Sequence, residues 1–132
     1  MVGIVIVSHS HRIAEGVAEL AREMGGPDVL LETAGGLDLP DRPIGTDAVM
    51  VQAAIERAWS DDGVLVLMDL GSAVLSAELA LDLLPEDHRA NVLLCEAPLV
   101  EGAVAAGVMA STGDDVDGVL RAAEEARHAR KL

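Results

Sequence analysis

Residues 2–12 read VGIVIVSHSHR, an unbroken apolar run over 2–7 that breaks at Ser8-His9-Ser10-His11-Arg12. A short continuous apolar run bounded by polar residues predicts a strand buried on both faces, as in parallel sheets covered by helices on each side. Three further runs, 29–32, 64–68 and 92–95, repeat the pattern, and the segments between them carry apolar residues at helical spacing. This β-α-β-α alternation predicts an α/β fold, an open, doubly wound and mostly parallel sheet of order 2-1-3-4 with helices on both faces.

The predicted helices carry stripes at three- and four-residue steps: Ile13, Val17, Leu20 and Met24; then Val51, Ile55 and Ala58; then Leu75, Leu79 and Leu83. Such stripes are expected to face the sheet. Two more helices are predicted over 99–110 and 114–130, the last closing over the sheet edge. Segment 34–46, AGGLDLPDRPIGT, is long for a connection between strand and helix, where about 2 to 6 residues is usual. Long connections of this kind are often functional. With 132 residues and no linker-like tract, the chain reads as one domain, 1–132.

Nine basic against 23 acidic residues give a net charge of −14, which repels a nucleic-acid backbone. The longest apolar runs are far short of the ~20 residues that span a bilayer. One Cys forms no internal disulfide and the start resembles no secretory leader, so a cytoplasmic protein without nucleic-acid or membrane partners is expected. The only Lys is Lys131, and neither a Walker loop nor a dinucleotide-binding glycine turn is present.

In an open α/β sheet ligands bind beyond the carboxyl ends of the strands, where strand order reverses. With order 2-1-3-4 that point lies between the first and third strands, which end at His9 and Asp69. A carboxylate bound to one imidazole nitrogen fixes the tautomer and leaves the other nitrogen as a nucleophile. N–H groups at Gly71 and Ser72, opening the next helix, would hold an oxyanion or phosphoryl group, and the helix starts near Ser10 and Thr46 would supply similar donors. Plainer roles exist for each. A histidine after a strand is commonly a hydrogen-bonded or capping residue, and Ser72 and Thr46 are residue types that cap helices. His9 and His11, with Glu15 one turn on, are a weak metal set, and no metal or other cofactor is expected. Cys95 reads as a small buried hydrophobe.

The segments IVIVSHS, GTDA, LMDLGSAVLSAELALDLL and EAPLVEGAVAA together resemble the phosphotransfer subunits of phosphoenolpyruvate-dependent dihydroxyacetone kinases, relatives of the mannose-type IIA domains of the sugar phosphotransferase system. The likeness covers essentially the whole chain. It implies a homodimer and a phosphoryl group carried on His9 as a covalent phosphohistidine. It also implies a donor, the phosphocarrier protein HPr, and an acceptor, ADP on the nucleotide-binding kinase subunit. Asp69 would orient His9, and Thr46, Gly71 and Ser72 would surround the phosphoryl group. Ending after the IIA-like domain, the chain would draw phosphate from separate proteins. His11 and Arg12 have no assigned place in that pattern. The alternatives are a IIA component of a mannose-type sugar transporter, a chelatase-like enzyme using His9 and His11, and a binding module without chemistry.

Overall fold

The computed structural model describes residues 1–132. Four strands, β1 (Gly3–Ser8), β2 (Leu30–Gly35), β3 (Val64–Met68) and β4 (Val92–Cys95), form one sheet of order β2-β1-β3-β4. All three pairings are parallel, with Gly3 beside both Leu30 and Val64 in register. The expected fold class and strand order are therefore present. β2 reaches three residues beyond its apolar run because it is the edge strand, where Glu32 and Thr33 keep contact with water.

The pleat divides the core in two. Val2, Ile4, Ile6, Leu65 and Leu67 face α1 (His11–Gly25), α5 (Leu99–Ser111) and α6 (Val116–Glu125). Val5, Val7, Val64, Val66 and Met68 face α2 (Ala48–Arg57) and α3 (Gly71–Leu83). A four-residue helix, α4 (Glu86–Arg89), falls in what the sequence presents as a polar connection; its His88 ring stacks on Trp59 at 3.9 Å between centroids.

Two helix faces depart from the expected stripes. On α1 the buried residues are Ala14, Val17, Ala18 and Ala21, whereas Ile13, Leu20 and Met24 are exposed. On α3 the buried set is Ala73, Ala77 and Ala80, and Leu75, Leu79 and Leu83 lie outward. The second stripe, Val51, Ile55 and Ala58, is buried as expected. On α1 the reason is backbone proximity. A Cβ at Gly107 of α5 would sit 3.1 Å from the Ala21 carbonyl oxygen, so α1 and α5 meet where only very small side chains fit. The longer side chains of α1 are displaced to the rim by volume, not by polarity. The last helix also stops short of the expected Arg130: α6 is capped by Asp115, ends at Glu125 and tightens into a 3-10 turn over Ala126–His128.

The alanine faces make a prediction opposite to the leucine stripes. Ala77→Leu should destabilise by roughly 1–3 kcal/mol through overpacking, and Met24→Gln should stay within about 0.5 kcal/mol of wild type, both read from denaturant unfolding midpoints. A silent Ala77→Leu would mean that α3 stands further from the sheet than described.

Candidate active site

The parallel register sets the ends of β1 and β3 side by side, so that Asp69 donates its backbone N–H to the Val7 carbonyl at 3.1 Å. From that anchor the Asp69 carboxylate reaches back across the first strand. One oxygen accepts from the Ser8 hydroxyl at 2.8 Å and from the His9 backbone N–H at 2.9 Å. The other lies 2.9 Å from His9 Nδ1 and accepts from the Leu70 N–H at 2.7 Å. Ser8, the one fully buried polar residue, also accepts from the Ser10 N–H at 3.0 Å. Burial works to raise the Asp69 pKa, but the hydrogen bonds from His9, Ser8 and Leu70 outweigh it and hold the carboxyl below its ordinary value. Asp69 is thus an anion with every lone-pair direction engaged.

With Nδ1 donating to Asp69, the imidazole presents Nε2 outward, where it meets the Ser72 hydroxyl. The His9 side chain is 20% exposed and Asp69 14%, so the ring has one accessible edge. Ser72 sits in the first turn of α3, whose N-cap position, Leu70, supplies no side-chain bond. The N–H groups of Gly71 and Ser72 are therefore available to an anion arriving at Nε2.

Of the sequence-predicted residues, His9, Asp69, Gly71 and Ser72 come together. Ser10 is used differently: its hydroxyl caps α1 by accepting from the Ile13 N–H at 3.2 Å. Thr46 is bonded to Ser76 of α3 at 2.6 Å, which ties the 36–47 loop to that helix. Neither Thr46 nor Ser72 is a cap, contrary to their plainer reading; α2 is capped by Asp47, which accepts from the Val49 and Met50 N–H groups. His9 and His11 belong to no group of three metal-ligating side chains. The residue missed in the sequence is Ser8, whose role depends on a partner 61 positions away, whereas the long 34–46 connection, singled out by its length, braces His9. In that loop Gly45 N–H donates to the His9 carbonyl at 2.9 Å, and the Arg42 guanidinium donates to the Gly35 carbonyl at 2.6 Å. Gly35 itself is required: a Cβ there would lie 2.8 Å from the Ser10 carbonyl oxygen.

The largest hollow, about 670 Å³, is lined by Glu15, Glu19, Arg22, Glu23, Gly26 and Pro27 and shares no residue with this site. A smaller cleft of about 270 Å³ opens beside it, between Ser10, His11 and Arg12 on one wall and Asp41, Arg42, Pro43 and Ile44 on the other. Away from the site, burial and then the Glu124 charge push the Cys95 thiol up to about 11. It should resist iodoacetamide at pH 8 in the native state and react in denaturant, as mass spectrometry would show.

Residues 3–120 match the EIIA-man family, described as the PTS system fructose IIA component. The phosphoryl donor subunit DhaM of the PEP-dependent dihydroxyacetone kinase of Escherichia coli strain K12 is 54% identical over 132 residues, 99% of this chain and 28% of that protein. The chain thus spans just over a quarter of that relative. DhaM of the PEP-dependent dihydroxyacetone kinase 2 of Listeria innocua is 37% identical over 92% of this chain and 95% of its own length. A crystal structure of a protein of unknown function superposes with a TM-score of 0.83 at 39% identity, covering 99% of this chain and 96% of that one.

The depressed Asp69 pKa fixes the sign of one pH effect. The folded state binds this proton less readily than the unfolded state, so its stabilisation is complete above the ordinary carboxylate pKa of about 4 and is lost as pH falls through the lower native value. The stability gap between wild type and Asp69→Asn should therefore shrink as pH drops below about 4, measured by urea unfolding across pH. A gap independent of pH would contradict it.

Proposed function

This chain belongs to the EIIA-man family, and on that premise we propose that it is a phosphohistidine carrier serving a dihydroxyacetone kinase. In this reading His9 accepts a phosphoryl group from phosphorylated HPr and passes it to ADP held on the nucleotide-binding kinase subunit, in the cytoplasm. The observation that carries it is the pair of contacts on one ring, Nδ1 on Asp69 at 2.9 Å and Nε2 facing Ser72 at the uncapped start of α3. The names of the E. coli and L. innocua relatives supply the kinase context.

The chemistry follows from the ring. The Nε2 lone pair attacks phosphorus in line, and the bond from phosphorus to the donor nitrogen breaks with its electron pair returning to the donor. Nδ1 keeps its proton throughout. Phosphorylation at Nε2 places positive charge on the imidazole, directly against the Asp69 carboxylate, while the Ser72 hydroxyl and the first N–H groups of α3 face the phosphoryl oxygens. Transfer onward reverses the step, with an ADP oxygen as nucleophile. Such transfer asks for positioning and charge stabilisation more than for covalent chemistry, and no group beyond this chain's own residues is required at His9.

The reading also includes a homodimer. The outward Leu75 and Leu79 of α3 are 63% and 58% exposed, and Val49 of α2 is 63% exposed, an apolar face of the kind that marks protein contact. Leu79→Glu should convert a dimer to a monomer in sedimentation without unfolding it.

Intact mass after incubation with phosphoenolpyruvate, enzyme I and HPr tests the central claim. Wild type should gain one acid-labile phosphoryl group, discharged by the nucleotide-binding subunit with ADP. His9→Ala should gain none, His11→Ala most of it, and Asp69→Asn should be slowed roughly 10²-fold or more. Labelling of His9→Ala would move the site. An adduct released only to a IIB sugar-transport domain would replace the kinase assignment.

A further inference from the structure

We propose that Arg12 is a phosphoryl-binding residue of this site, pairing with the oxygens of the transferred group as it reaches His9; the inference rests on the carrier reading above. It begins from an electrostatic anomaly. The first turn of α1 holds His11 and Arg12 and no acidic residue, although the positive end of a helix dipole disfavours cations there. The other helices with charged first turns obey the rule: Glu86 and Asp87 open α4, Glu101 opens α5 and Asp117 lies in the first turn of α6. At α1 the rule is broken three residues from His9.

Arg12 is also exposed and without an internal partner. Of the nine basic side chains, Arg57, Arg127 and Lys131 hold carboxylates, and Arg22, Arg42 and Arg89 hold main-chain carbonyls. Arg121 and Arg130 lie on and beyond α6, and Arg12 is left at the carboxyl end of the sheet. It lines the cleft beside Ser10 together with His11 and Arg42, against the single acid Asp41. The opposite wall of the cleft runs on from Ile44 into Gly45, whose N–H donates to the His9 carbonyl at 2.9 Å, so the cleft lies against the His9 backbone. In a chain of net charge −14, a phosphoryl dianion at His9 meets long-range repulsion that a nearby positive charge would relieve. Ser72 and the α3 N–H groups approach the ring from one side, and the cleft opens at the base of α1, where Ser10 follows His9 in the chain. A guanidinium spans two oxygens of one phosphoryl group, which matches the planar charge of the transferring group.

Phosphoramidate, a small chemical donor, separates this role from partner docking. In that reaction the phosphorus–nitrogen bond of the donor breaks, ammonia leaves with the electron pair, and Nε2 forms the new bond. Wild type, Arg12→Gln, Arg12→Lys and Arg121→Gln would be followed by intact mass, with melting curves alongside. Arg12→Gln should lower the limiting labelling rate roughly tenfold to a hundredfold at unchanged melting temperature. Arg12→Lys should recover part of it, and Arg121→Gln should match wild type. Labelling of Arg12→Gln within twofold of wild type, or a loss that appears only as a weaker apparent affinity for HPr, overturns the proposal and leaves the carrier reading intact. Failure of wild type to be labelled on His9 by either donor overturns the carrier reading itself, and this inference with it.

Discussion

The Asp69 carboxylate, shared among the Ser8 hydroxyl, the His9 and Leu70 N–H groups and His9 Nδ1, is the contact on which the site depends. It joins the ends of two neighbouring parallel strands and selects the tautomer of the ring in one stroke. Its geometry exists only because β1 and β3 are adjacent, and that adjacency is the reversal of strand order itself. A strand inserted between them would move His9 about 5 Å further from its orienting carboxylate. The fold therefore enters the chemistry through topology, and the rest of the site is arranged around that join.

Charge is organised on two scales. The surface carries an excess of acid, suited to encounter with basic partner faces. Around His9 the balance changes: the Ser72 hydroxyl meets Nε2 at the start of α3, where no side chain caps the helix, and the first turn of α1 carries His11 and Arg12 with no acid. The carboxylate nearest the ring is turned inward, onto Nδ1 and the backbone, away from the accessible Nε2 edge. A negative protein can thus offer a locally anion-tolerant site without lysine.

The strands were legible because burial on both faces leaves a continuous apolar word in the sequence, and the site's two central residues were legible because they end two such words. Gly71 and Ser72 followed from the helix that opens after Asp69. Helix orientation was not legible on α1 and α3, since hydrophobic periodicity weights leucine above alanine, whereas both helices bury alanines and α1 meets α5 where two backbones approach closely. Ser8 was hidden for another reason: it ends an apolar run and looks like punctuation until its partner on β3 is known. The uses of Ser10 as a cap and of Thr46 as a tie to Ser76 likewise depend on where loops fall, which residue type alone does not specify.

The His9–Asp69 contact spans 60 positions of chain and lies inside a sheet whose every pairing is parallel. Parallel pairing brings together only segments that a crossover has already separated, so no local hairpin can pre-assemble any part of the pocket. During synthesis the His9 ring emerges early and waits, solvated and unoriented, until β3 has been made and docked. Orientation of the ring is then acquired as a late, cooperative event, and a nascent chain carrying His9 but lacking β3 would present the histidine without the carboxylate that holds it.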